Sequence, residues 1–452
     1  MPPMRRRLTL YILLGLPLLC LLGVLLYFLP PVHSRLAWRV ENLVTQVRYS
    51  LNPPEQAVFL PQAPAAPQDE AARATMESIV QATLAALPTR TAPPAQETGT
   101  AGEEPAAPPS PTPTATATLA PLPAQISLTG YVFEYQKFNN CGPANLSMAL
   151  SYWGWQGDQR DTRAFLRPFA GDRASDGVDD KNVNPEEMVQ FVQQETQLNA
   201  LLRYDGNAET LKRLLAAGFP VITERGHDPA DDDWMGHYVL FTGYDDERAR
   251  FTVQDSLIME NFPLPYAELE PRWLDFNYVY IVLYPPEQEA KLRALLGPQA
   301  DSTANLQAAA ARARREVEAL SGRDQFFAWY NLGSSLVKLE DYAAAAGAYD
   351  QAFALYAGMP EAERPWRMLW YQAGPYAAYY HTGRYQDVIN LADTTLSIFS
   401  RPILEEALYW RGLAKEALGD LDGALADLER AYELNPYSTP AGEDLSRLAG
   451  AS

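Results

Sequence analysis

The chain has 452 residues, a net charge of −20 at pH 7, 47% hydrophobic residues and two cysteines. That length accommodates two or three domains, each with its own core. The acidity argues against a phosphate-binding surface, because nucleic-acid binders carry basic stripes, so no nucleic-acid partner is expected. No glycine-rich loop ends in Gly-Lys, so nucleotide chemistry has no support, and no cofactor or metal is expected.

Arg5, Arg6 and Arg7 precede an uncharged apolar run over residues 8–29. As a helix such a run spans roughly 33 Å, enough for a bilayer core of about 30 Å. It lacks a small-residue cleavage site. Residues 1–31 therefore read as a cytoplasmic N-terminus and single-pass membrane anchor, which leaves everything downstream extracytoplasmic. Leu36, Val40, Leu43, Val44, Val47 and Leu51 then fall on one helical stripe, with Trp38 suited to a membrane interface. Residues 52–125 are dominated by Pro, Ala and Thr, cannot bury enough apolar surface to offset their ordering entropy, and read as a Pro-stiffened tether. Met76, Ile79, Val80, Leu84 and Leu87 suggest one short helix within it.

Residues 126–285 have the mixed pattern of an α+β domain, and hold 13 Lys and Arg against 25 Asp and Glu. Helices are predicted from Cys141 and at "NPEEMVQFVQQET" and "AETLKRLLAAG"; strands at "PVITER", "GHYVLFTGY", "ARFTVQD" and "YVYIVLY". Residues 303–450 change character again. Trp329, Leu332, Gly333, Tyr342, Ala345, Tyr349 and Ala352 share a template with Gly412, Gly419, Asp420, Ala424, Ala431 and Pro436. Small residues sit where two antiparallel helices must touch, and the pattern resembles the tetratricopeptide repeat. A degenerate middle copy carries Gly383, Tyr385 and Ala392, and residues 303–320 read as a cap. Such an array implies a protein partner or substrate segment, and its short connection to the α+β domain predicts that the two pack together.

The chemistry centres on "NNCGPANLSMALSYWGW". Cys141 has no disulfide partner, since Cys20 lies in the apolar N-terminal run. It stands where a helix begins, with Pro143 in the first turn and Leu146, Leu150 and Trp153 as an inward stripe. Helix N-terminal amides lower a thiol pKa, so Cys141 is a candidate nucleophile. Of four histidines, His33 flanks the membrane run and His381 lies in the repeats, leaving His227 and His237. His237 opens a strand. If that strand forms a hairpin with "ARFTVQD" centred on Asp246, Gly243 pairs with Ala249, Phe241 with Phe251, Val239 with Val253, and His237 with Asp255. Directly opposed side chains are within hydrogen-bonding reach. Gln136 could supply an amide to an oxyanion beside the Cys141 N–H.

"YQKFNNCGPANLSMALSYWG", "GHYVLFTGYDD" and "FTVQDS", in this order, resemble the bacteriocin-processing (double-glycine leader) cysteine peptidases, which have a papain-like fold. The resemblance implies Cys141 as nucleophile, His237 as general base, Asp255 as the group orienting the imidazole, and Gln136 as oxyanion donor. It implies a peptide or protein substrate cleaved through a thioester. The exporter fused to familiar members is absent, so leader cleavage is not implied. The competing reading is a catalytically inactive papain-like domain in a repeat-containing scaffold or binding protein. The acidic loop at residues 171–182 lacks the ligand pattern of a calcium-binding EF-hand and reads as a solvated loop. His227 with Asp228 and Asp231–Asp233 has no second motif to make it a metal site. Trp329, Tyr349 and Trp410 read as repeat core.

Overall fold

A computed structural model describes residues 18, 21–29, 32, 36, 39–40, 43, 47, 57–62, 121–137, 139–168, 182–228, 233–398 and 404–451. The predicted helix at residues 69–87 and most of the acidic loop fall outside them. So do Asp231, Asp232 and much of the apolar N-terminal run. Among the described residues, no helix is long and apolar enough to cross a membrane.

The α+β part begins with strand β1 (Gln125–Ser127) and helices α1 (Cys141–Tyr152), α2 (Gln159–Leu166) and α3 (Pro185–Glu195). Strand β2 (Asn199–Arg203), helix α4 (Ala208–Ala216) and strands β3 (Val221–His227), β4 (Met235–Asp245), β5 (Arg250–Asp255) and β6 (Met259–Pro265) follow. Helix α5 (Tyr266–Trp273) and strand β7 (Tyr280–Tyr284) complete it. The strands form one antiparallel sheet in the order β2-β7-β3-β4-β5-β6, with β1 alongside the far end of β4.

Both faces of the sheet are covered, which is why β4 and β7 are near-continuous apolar runs rather than alternating ones, and why even Thr223, Glu224 and Arg225 of β3 are buried. Ile222, Tyr238, Leu240, Ile281 and Leu283 form a core with α1, α2 and α3. Helix α1 is therefore buried almost all round, from Gly142 to Ser151, and not amphipathic as its stripe predicted. Val221, Val239, Phe241, Val253 and Val282 face the opposite way.

That second core does not end with the α+β part. It runs on without a break into the C-terminal helices, through Phe326, Phe327, Tyr330 and Trp370. After helix α6 (Glu289–Leu296), these helices are α7 (Ser302–Ala319), α8 (Gly322–Lys338), α9 (Tyr342–Gly358), α10 (Met368–Tyr371) and α11 (Gly374–His381). They continue with α12 (Tyr385–Ser397), α13 (Glu405–Ala417), α14 (Leu421–Leu434) and α15 (Thr439–Ala451). The pairs α8/α9, α11/α12 and α13/α14 occupy the three predicted repeats. Small residues do what the template required: a Cβ on Gly333 would stand 2.7 Å from the Tyr349 ring. Residues 303–320, read as a cap, pack on α8 at the start of the array and also join it to the sheet. Within α7, Asn305 exchanges hydrogen bonds with the Tyr204 backbone, and Glu316 accepts from the Tyr278 hydroxyl at 2.6 Å.

The stretch read as a tether also touches the array. Phe59 is 3% exposed and packs edge-on against Phe353, ring centroids 5.0 Å apart. A lone aromatic within Pro- and Ala-rich sequence has found the array's apolar surface.

Because one core serves sheet and repeats, they should unfold together. Phe327→Ala, deep in α8, is expected to cost about 3–5 kcal/mol. Urea titration should show helix and sheet content lost at one midpoint, shifted equally by the substitution.

Candidate active site

The hairpin of β4 and β5 departs from its predicted register. Its turn spans residues 246–249, with Ala249 at φ +47°, so Asp245 pairs with Arg250 and Tyr244 with Phe251. Thr242 is then an extra residue on β4: Gly243 pairs with Thr252, yet Phe241 pairs with Val253. This bulge decides which face Asp255 occupies. Without it, Phe241 would oppose Gln254, and Asp255 would project from the face opposite His237. With it the two share a face as diagonal neighbours, not directly opposed ones. Nε2 of His237 lies 2.9 Å from Oδ1 of Asp255 all the same.

Beyond Leu240–Gln254 the two strands part, while β4 runs on to Met235 paired with β3 alone. Groups of Tyr238 that a continued ladder would have used turn to α1 instead. The Tyr238 carbonyl accepts from Nδ2 of Asn145 at 2.8 Å, and its N–H hydrogen-bonds the sulfur of Cys141. Through this gap Cys141, on the helix covering one face, meets the His237 imidazole from the other. Nε2 being taken by Asp255, Nδ1 is the nitrogen left for the thiol.

Burial alone would push the Cys141 thiol up. The hydrogen bond and charge of His237, with the N–H groups of Tyr238 and Gly142, outweigh burial, and the thiol is held below its ordinary value. Burial would likewise depress His237, but Asp255 and then Cys141 raise it to about 9. Asp255, despite its burial, is lowered to about 2 by His237 and, further off, by Arg225, whose Nη2 stands 3.7 Å from Oδ2. Leu257 and Ile258 also donate their N–H groups to Oδ1.

Gln136 is held by the residue next to Asp255. Its Oε1 accepts from the Ser256 hydroxyl at 2.8 Å and its N–H donates to the Ser256 carbonyl at 2.9 Å. Asn145 ties this to the helix, donating to Ser256 Oγ at 3.2 Å and to the Cys141 carbonyl at 2.9 Å. The segment before Cys141 is pinned separately. Glu134 accepts from Ser147 and from both nitrogens of Gln159, whose Oε1 accepts from the Lys137 N–H and from Nδ2 of Asn140. Sequence reasoning missed Asn145, Ser256, Glu134 and Gln159. Asn145, four residues after Cys141 on a helix, was the one signal available for them.

The neighbouring ionisable groups are kept from competing. His227 lies 5.5 Å from His237 between ring centroids, and burial, then the charges of His237 and Arg225, lower it to about 4. Asp228 pairs with Arg272 and Arg323. Glu224, on the Cys141 side of the sheet, is raised well above its ordinary value by burial and by the charge on Cys141.

Residues 122–281 match the Peptidase_C39 like family, and residues 328–358 and 405–438 each match a tetratricopeptide repeat. Among solved structures, one described as a C39-like peptidase from Bacillus anthracis is similar at 17% identity and a TM-score of 0.29, over 35% of this chain and 96% of that one. Xylellain, a cysteine protease from Xylella fastidiosa, is similar at 16% identity and a TM-score of 0.26, over 36% of this chain and 87% of that one. The MamA RS-1 ArsTM double mutant is similar at 16% identity and a TM-score of 0.28, over 35% of this chain and 83% of that one. No curated protein matches the chain.

The His237–Asp255 pair makes stability depend on pH from both sides. Asp255, about 2 when folded, stabilises fully above its unfolded value of about 3.9, and that contribution is lost as pH falls toward 2. His237, about 9 when folded, stabilises fully below about 6.5, and loses that contribution as pH rises through 9. Urea midpoints should therefore be highest between about pH 4 and 6.5, and Asp255→Asn should flatten both limbs.

Proposed function

We propose that residues 126–285 are a cysteine peptidase acting on a peptide or isopeptide bond, with Cys141 as nucleophile, His237 as general base and acid, Asp255 as orienting carboxylate and Gln136 as oxyanion donor. The observation that carries this reading is the single imidazole joined to a carboxylate at 2.9 Å on one side and to a thiol on the other. An inert core cysteine needs neither neighbour.

In the proposed reaction Nδ1 of His237 takes the thiol proton, and the thiolate attacks the scissile carbonyl carbon. The oxyanion is received by the N–H of Cys141, which lies in the first helical turn where no intrahelical carbonyl reaches it, and by Nε2 of Gln136. Ser256 engages the other end of that amide, which orients the donor. As the C–N bond breaks, the imidazolium gives its proton to the leaving amine and a thioester remains. Water then attacks with His237 as base, the C–S bond breaks, and the proton returns to the thiolate. Asp255 stays ionised throughout and stabilises the imidazolium.

Alkylation of Cys141 by iodoacetamide should persist well below the ordinary thiol pKa of about 8.5, with His237→Ala lowering the rate about tenfold or more near pH 6.5. Hydrolysis of quenched-fluorescent peptide libraries should fall off above about pH 9, where the imidazolium is lost. Gln136→Ala should reduce kcat about 10²-fold with little change in KM. A fast-alkylating Cys141 with no turnover of any peptide would favour the inactive scaffold.

The membrane anchor also belongs to this proposal. It rests on the charge and hydropathy of residues 1–31 alone. In intact cells carrying the full chain, added protease should cut between residues 62 and 121 and release a fragment containing Cys141. Full protection until lysis would reverse the orientation.

A further inference from the structure

His237 sits two residues from the end of a hairpin: the β3–β4 ladder closes at the pair His227–Met235, and β5 gives no support there. Strand ends of this kind fray, so something else must hold an imidazole to tenths of an ångström. The repeat array meets the chain just before this point. Nε1 of Trp366 donates to Asp233 Oδ2 at 2.9 Å, and the Arg367 guanidinium donates to the Trp234 carbonyl at 3.1 Å. The Trp234 ring, 4% exposed, lies between Phe276 on its own domain and Phe327 and Tyr371 of the array, with centroids 5.2–5.7 Å away. Its Nε1 donates to Asp275 at 2.8 Å. Immediately before His237, Gly236 is hemmed in from both sides: a Cβ there would stand 2.7 Å from Phe276 of its own domain and 3.1 Å from Tyr371 of the array. The need for glycine here is one of close approach, not of a left-handed backbone.

We propose that the segment Trp366, Arg367 and Tyr371 of the repeat region positions His237 against Cys141, so that the array is a working part of the active site and not only a platform for partners. This rests on the peptidase reading of the Cys141–His237 pair. The three are positioning residues: they act through the Asp233 carboxylate and the Trp234 carbonyl and ring, and touch no reacting atom. Arg367 stacks on Trp366 with its guanidinium carbon 4.4 Å from the ring and is itself 4% exposed, so the clasp is rigid on the array side as well. Helices α13 and α14 supply none of these clasp contacts; the last repeat instead meets the start of α3, where Glu406 accepts from Asn184 and Asn435 donates to Glu187, so it serves as a control.

The test is the alkylation rate of Cys141 against pH, read by intact mass in the full chain. Trp366→Phe with Arg367→Met removes both hydrogen bonds while keeping ring and bulk. It should lower the rate about tenfold or more near pH 6.5 and leave it unchanged near pH 10, where any accessible thiol is ionised. Arg367→Lys, which keeps a donor, should restore most of the low-pH rate. Gly236→Ala should reproduce the loss by another route. Leu428→Ala, which opens the core of the last repeat, should lower the unfolding midpoint without altering the profile. A wild-type profile of an ordinary thiol would overturn the peptidase reading itself. With the wild-type low-pH limb present, superimposable profiles for wild type and the Trp366/Arg367 variant would overturn the positioning proposal. So would an equal loss in Leu428→Ala, since the effect would then be general destabilisation.

Discussion

The parting of β4 from β5 after Leu240–Gln254 is the constraint on which the rest of the site depends. A continuous ladder would have consumed the N–H and carbonyl of Tyr238 and left a closed sheet between Cys141 and His237, which approach from opposite faces. Once the strands separate, those two backbone groups must find other partners, because buried peptide groups left unpaired are costly. The sulfur of Cys141 and the amide of Asn145 are those partners. The same exchange that satisfies the backbone brings the thiol to the imidazole.

Burial and charge then work against each other at every group in the gap. Each of Cys141, His237 and Asp255 would be driven toward its neutral form if it were buried alone. Together they favour their ions, because each ion has an opposite charge beside it. The surroundings keep this arrangement single-valued. His227 is held neutral, so only one imidazolium forms. Glu224 is pushed toward its protonated form, so no second carboxylate competes with Asp255 for the imidazolium. Arg225 adds a fixed positive charge behind Asp255.

The repeats alter how this domain should be pictured. A helical array joined to an enzyme-like domain by a short connection could have been an independent module. Instead α7 is bonded to the sheet, and one apolar core passes from β4 into α8. Charge pairs reinforce it along the joint, with Arg323 of α8 on Asp228 and Lys338 on Glu186. Surface of the repeats is in part already occupied by residues 233–236 of their own chain.

Much of this was legible from residue type and spacing. The chain's single uncommitted cysteine, two histidines in the right segment and a hairpin-forming stretch sufficed to single out Cys141, His237 and Asp255. Glycine and alanine at helix-contact spacing sufficed to mark the repeats. These are local signals, carried by a few consecutive residues and by the periods of helix and strand. The register was not local. The predicted turn centred on Asp246 missed both the longer turn at 246–249 and the extra residue at Thr242, and the expected contact survived because it became a diagonal one. Nothing in the period of β4 marks Thr242 as a bulge, since its bonds go to Leu128 and Gln254 from elsewhere in the chain. Nor could composition tell that Asp233 and Trp234 would meet Trp366 and Arg367, each bonded pair 133 residues apart. The sequence by itself determined the elements and the chemically able side chains, because both follow from short-range sterics, periodicity and residue chemistry. The face on which Asp255 lies, the gap that admits Cys141 and the clasp on Trp234 were decided only by tertiary structure, because each depends on which distant backbone and aromatic groups compete for the same partners.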